Sequence, residues 1–399
     1  MTQIQTKRIE SIDMLRGIVM VLMALDHVRD YFHIGANTGD PLDLQTTYPL
    51  LFFTRWITHF CAPVFIFLSG TSIFLQSQRK TPKELGMFVL KRGLWLIVAE
   101  WTIIAFGWTF NPAFAFIPFQ VIWAIGISMV VLGSFLLMRI PYIVILGLGI
   151  VIVFGHNLLG RVEQAPDFQT NFWWDILHHG TFKPYTIIGN HNAILVYPFV
   201  PWTGLMMLGY CMGIFFTSTY SIAQRSRVLL GLGVGLLLFF VGLRYSNVYG
   251  DPSNWSSQRD NLYTFFSFMS VQKYPPSLLY MCATISIALL ALAWLERLNN
   301  SFLKVMTVFG RTAFFYYILH IYIIHLLATI AFFARGHSFA DGLQTEGHFP
   351  FLFVAPGEGY QLGVVYAVWI VVLVMLYPIC KWYDSYKQNH KEKWWLSYV

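Results

Sequence analysis

Apolar residues fall in long blocks along this chain, divided by connections that hold most of the charge. A helix needs about 20 apolar residues to cross the hydrocarbon core of a bilayer. Ten blocks meet that length, some with semi-polar ends: 12–33, 51–76, 86–108, 116–138, 141–158, 195–216, 228–246, 277–295, 305–333 and 361–381. The fifth is short and glycine-rich. The pattern predicts an all-α, polytopic membrane helix bundle of about ten transmembrane helices. No tandem repeat or low-complexity linker divides it, so residues 1–399 are expected to form a single transmembrane domain.

Composition agrees with the pattern. Of 399 residues, 56% are hydrophobic and only 11% charged, unlike an ordinary soluble domain. The net charge of +7 is not gathered into a nucleic-acid patch. Lys and Arg concentrate in alternate connections, which marks those connections as cytoplasmic. The basic set holds Lys7, Arg8, Arg79, Lys80, Lys83, Arg139, Arg225, Arg227, Arg297, Lys304 and the tail lysines 381, 387, 391 and 393. The other set is acidic, with Asp40, Asp43, Glu163, Asp167, Asp175, Asp251, Asp260, Asp341, Glu346 and Glu358. The sets alternate across ten spans. Both termini are therefore expected in the cytoplasm, with the chain integral to the inner membrane and the lipid bilayer its first partner. The four cysteines show no metal or redox spacing.

The first block carries the densest candidate chemistry. Ionisable groups near a bilayer centre cost several kcal/mol, roughly 2.5 to 3.5 on insertion scales, and usually serve function. Arg16 and His27 are eleven residues apart, within about 20° of one helix face and about 16 Å apart along the axis. Asp26, Asp30 and His33 form a second stripe. A carboxylate beside His27 would fix its tautomer and suit it to act as a general base. The plainer alternative is that these carboxylates, with Arg29, form interfacial ion pairs. His59 lies at similar depth in the second block, four residues before Pro63, which frees a backbone carbonyl. The small residues 69–72 suit close helix packing. Lys91 and Arg92 lie one to two turns inside the third block, where phosphate is a fitting ligand. Glu100 further along has no local partner and suits either a helix–helix ion pair or a site. In the ninth block Tyr316 and His320 share a face, and His320 needs a polar partner at mid-membrane. No metal-ligand spacing occurs within a span.

The opening run SIDMLRGIVMVLMALDHVRD resembles the first helix of the transmembrane acyltransferase superfamily. That superfamily includes the acyltransferase-three family and the heparan-alpha-glucosaminide N-acetyltransferase catalytic-domain family. The APVFIFLSG segment, the KR pair of the third block and YYILH in the ninth match in order. The D-x-L-R-G-I-x-x-x-L-M run is most similar to bacterial members of the heparan-alpha-glucosaminide family. The resemblance implies acyl transfer, usually acetyl, from cytoplasmic acyl-CoA to a sugar hydroxyl or amine on the far side. It puts the catalytic histidine on His27 by the acyltransferase-three pattern, or on His33 by the heparan-type pattern. Arg16, Lys91 and Arg92 would hold CoA phosphates. Asp26 or Asp30 would orient the histidine, and His59, Tyr316, His320 and Glu100 would support the path. The partners implied are acyl-CoA and a surface glycan or sugar-containing acceptor, with room for a homo-oligomer and no part for a metal. The rival reading is a proton-coupled transporter of a small solute, since intramembrane His, Asp and Glu also build proton relays. The inverted repeats common in transporters are not visible in the sequence.

Overall fold

The computed structural model describes residues 9–36, 39–180, 182–298, 300–343, 351–355 and 357–398. Lys7, Arg8 and Glu346 lie outside them. The chain is predominantly helical, and each of the ten apolar blocks is largely helix. In chain order the main helices are α1 (Glu10–Phe32), α2 (Pro49–Ser77), α3 (Pro82–Ala99), α4 (Val121–Leu137), α5 (Tyr142–Gly155) and α6 (Phe199–Phe216). They continue with α7 (Ile222–Ser246), α8 (Leu278–Leu295), α9 (Ser301–Arg311), α10 (Ala313–Ala334) and α11 (Leu362–Asn389). Six of these, α2, α6, α7, α8, α10 and α11, are long and apolar enough to cross a membrane. Helix α5 reaches that standard only with the following Asn157–Glu163 helix, from which it is bent by 40°.

Three blocks differ from the sequence expectation. Phe116–Phe119 is a strand, β1, ahead of α4. It pairs in parallel with β3 (His191–Leu195), which pairs antiparallel with β2 (Pro184–Ile188), in the order β1-β3-β2. An apolar run that continues into a helix hides such a strand. The ninth block is broken at Thr312, so α9 and α10 are separate helices. Within α2, a 3-10 turn at Thr58–Phe60 precedes Pro63. The His59 carbonyl, which Pro63 cannot bond, accepts instead the Tyr280 hydroxyl at 2.7 Å.

Helix α1 carries too much charge to resemble a lipid-facing span, and it does not face lipid. It packs against α2, α8, α9, α10 and α11. Glycines bring its backbone into direct contact with α9. A Cβ on Gly17 would stand 1.8 Å from the Met306 carbonyl oxygen, and one on Gly310 1.8 Å from that of Asp13. Helices α3 and α4 interlock the same way through Gly93 and Gly126. The edge of the bundle is the reverse. Leu238 on α7 and Val374 on α11 are exposed, as side chains that meet lipid should be.

Candidate active site

One stripe of α1 organises the site. Ile12, Arg16, Met20, Met23, His27 and Asp30, spaced three or four apart, all line internal space. That space is two cavities. The larger, about 910 Å³, takes Arg16, Met20 and Met23 from α1, with Arg79, Arg92, Arg225, Arg311 and Lys387 from other elements. The smaller, about 240 Å³, takes Met23, Asp26, His27 and Asp30, with Arg55, Trp108, Tyr197, Lys273 and Tyr274. The two share Met23, Val121 and Tyr317 as lining. His27 stands one helical turn beyond Met23, on the smaller side of that junction.

The partner that orients His27 is a histidine. His27 Nδ1 and His320 Nε2 are 2.7 Å apart, and the rings lie 15° from parallel with centroids 4.9 Å apart. His320 Nδ1 is 3.1 Å from the Tyr316 carbonyl oxygen on its own helix. A carbonyl only accepts, so His320 must carry its proton on Nδ1. Its Nε2 therefore accepts, and His27 must donate from Nδ1. That leaves the lone pair of His27 on Nε2, the ring nitrogen with no partner among the described residues, in a side chain that lines the smaller cavity. An imidazole fixed in this way has the geometry that a general base needs. His320 is fully buried and lines neither cavity. Tyr316 contributes through its carbonyl and by stacking its ring 5.3 Å from that of His320.

Asp26 and Asp30, expected to orient His27, hydrogen-bond arginines instead among the described residues. Asp26 accepts from Arg29 at 2.8 Å and Arg55 at 2.6 Å, and Arg29 also reaches Asp30 at 2.6 Å. The four side chains form an alternating row of charge, the ion-pair alternative left open by the sequence. Pairing is what lets such charges remain buried.

Other expected site residues divide. Arg16 donates to Ser72 Oγ at 2.9 Å and faces the larger cavity, so Ser72 is more than a packing residue. Arg92 also lines it, and its guanidinium bonds the Ser397 carbonyl of the C-terminal segment. Lys91, one residue away and so about 100° around the helix, is exposed and lines neither cavity. His33 ends α1, accepts the Gly35 N–H at 3.0 Å and also lines neither. His59 is buried against the Tyr280 ring and lines neither. Glu100 is a cap from a neighbouring element. It sits in a π turn, Glu100–Ile104, and its carboxylate accepts the Trp123 N–H at 3.2 Å at the start of α4. The same π turn rotates the segment after it and brings Trp108 against His27, with ring centroids 4.7 Å apart.

Sequence reasoning missed Arg55, Trp108, Lys273, Tyr274 and Tyr317. Two of them left a signal. Arg55 and Lys273 are basic residues next to the acidic set of connections, against the charge trend along the sequence. Lys273 is 9% exposed and lies 5.1 Å from the centre of the Tyr274 ring. Burial would push the Tyr274 phenol up, but Lys273 and Arg55 outweigh it and hold the group below its ordinary value.

No individually curated protein matches the chain. Residues 8–243, more than half of the 399, match the model for heparan-alpha-glucosaminide N-acetyltransferase, catalytic, and the match spans α1, its stripe and Arg55. The protein therefore belongs to the heparan-alpha-glucosaminide N-acetyltransferase catalytic family, a family of membrane acetyltransferases.

Proposed function

We propose that the protein moves an acetyl group from acetyl-CoA, bound in the larger cavity, to a hydroxyl or amine of a sugar-containing acceptor in the smaller one. The observation that carries this is the junction of two unlike cavities at Met23, Val121 and Tyr317, with His27 beside it. A volume of about 910 Å³ lies near the upper end for small-molecule sites, roughly 300 to 1,000 Å³. Its arginines suit the CoA phosphates. The span from Arg16 to His27, about 16 Å by helical rise, lets an extended pantetheine arm carry the thioester to the junction.

In this reading His27 Nε2 takes the acceptor's proton as the acceptor attacks the thioester carbon. The departing CoA thiolate then takes that proton from His27. His27 rather than His33 does this work, because of the two only His27 lines either of these cavities. The larger cavity faces the cytoplasm, since it is ringed by residues of the basic connections, and the smaller faces outward. The same sidedness has ten spans and both termini inside.

The test is CoA release by purified full-length protein in liposomes, with acetyl-CoA as donor and glucosamine as acceptor probe. His27→Ala should lower turnover by roughly 10²- to 10⁴-fold. His33→Ala should leave it within a few-fold. Full turnover in His27→Ala would refute the assignment. Solute flux that does not depend on CoA would favour the transporter instead.

A further inference from the structure

Two buried hydrogen-bond donors beside His27 have no use in the mechanism so far. Trp108 Nε1 and Tyr317 Oη are both shielded from solvent, in residues 5% and 3% exposed; the Trp108 N–H is turned toward Tyr317 Oη, and no acceptor for the Tyr317 proton stands among the described residues. Leaving such a group unsatisfied costs about 1–3 kcal/mol. Three observations place them beside the base. Both side chains line the smaller cavity, and Tyr317 lines the larger one as well. Both rings stand edge-on to His27, with centroids 4.7 Å and 6.3 Å away. The two groups are also near neighbours of each other. An N–H and an O–H donor thus stand beside His27, and Tyr317 is part of the junction itself.

Their positions are held from outside the site. The Tyr31 hydroxyl donates to the Trp108 carbonyl oxygen at 2.6 Å, tying that segment to α1. Tyr317 follows Tyr316 in the first turns of α10, on the helix that also carries His320. The base and the two donors are therefore set by the same three elements.

We propose that Trp108 Nε1–H and Tyr317 Oη–H form the oxyanion hole of this active site. The inference rests on the acetyl-transfer reading above. When the acceptor's lone pair bonds to the thioester carbon, the carbonyl π pair moves onto oxygen and the acceptor's proton moves to His27 Nε2. The oxyanion then accepts hydrogen bonds from the indole and the phenol. Collapse re-forms the carbonyl, breaks the C–S bond and releases CoA thiolate, which takes the proton from His27. Atoms and charge balance without any further reactant. Preorganised donors in a site shielded from water are worth more than in solution, because they need no reorganisation as charge develops.

The experiment uses full-length protein and CoA release from acetyl-CoA with glucosamine. Tyr317→Phe removes one oxygen atom and Trp108→Phe removes the N–H while keeping an aromatic ring. Each should lower kcat by roughly 10²- to 10³-fold. CoA affinity, measured separately by calorimetry, should stay within about twofold because ground-state binding does not use these donors. Turnover within a few-fold of wild type in Tyr317→Phe overturns the proposal. So does a loss of turnover matched by an equal loss of CoA affinity. A wild-type protein that releases no CoA brings down the acetyl-transfer reading itself, whereas turnover that survives both substitutions brings down only the oxyanion hole.

Discussion

Removing the His320 ring acts on His27 rather than on any substrate. His320 holds His27 through one 2.7 Å contact and is itself set by the Tyr316 carbonyl. In His320→Phe the ring is kept, but nothing accepts from His27 Nδ1, and the proton is free to shift to the nitrogen that must act as base. Turnover should fall by roughly 10²-fold or more, with KM for acetyl-CoA unchanged. His320→Gln offers a carbonyl oxygen in reach and should recover part of the loss, which a purely packing role would not explain. Arg55 tests the row of charge beside it. Arg55→Leu leaves Asp26 buried with Arg29 alone. Breaking a buried pair costs about 3–5 kcal/mol, so the thermal midpoint in detergent should drop markedly. Adding Asp26→Asn removes the uncompensated charge, and the double variant should be more stable than Arg55→Leu. Equal midpoints for the two would show that the pair does not hold this end of α1.

Among the elements, the α1–α9 contact tolerates least. A side chain on Gly310 has no direction in which to yield, because its first neighbour is the α1 backbone itself. Gly310→Val should force the helices apart and give aggregated protein on size exclusion. Gly242→Ala on α7, where nothing lies within 4 Å of the new Cβ, should behave as wild type. This difference also explains what the sequence could tell. Helix α1 was legible as a two-sided stripe because its geometry is local: Arg16 and His27 share a face in any straight helix. Its partners were not legible. His320 lies 293 positions away and Arg55 meets Asp26 only after α2 folds back. Ion pairing and orientation of the base both satisfy a carboxylate next to a histidine, and only tertiary contact chooses between them. The break at Thr312 was hidden for a similar reason, since no proline interrupts the apolar run there.

Across the whole molecule, the division into two chambers depends on which face each helix turns inward, and α3 shows how narrow that choice is. A basic Lys-Arg pair within an apolar block marks the place for a phosphate but not which residue meets it. Packing of Gly86 and Gly93 against α4 sets the rotation of α3. It leaves Arg92 lining the larger cavity and Lys91 exposed. The two neighbours should therefore separate cleanly in CoA binding. A hydrogen bond to a charged group contributes about 1.5–3 kcal/mol, so Arg92→Ala should weaken CoA roughly 10- to 150-fold. Lys91→Ala should change it by less than about threefold, the range of an exposed charge. Arg16→Ala should resemble Arg92→Ala, because both guanidiniums line the same chamber. Arg92→Lys should recover only part of the affinity, since a point charge lacks the fork that grips a phosphate. Calorimetry with CoA on full-length protein reads all four. If Lys91→Ala weakened CoA as much as Arg92→Ala, CoA phosphates would be held at the exposed face of α3, and the path from Arg16 to His27 would not be the route of the thioester.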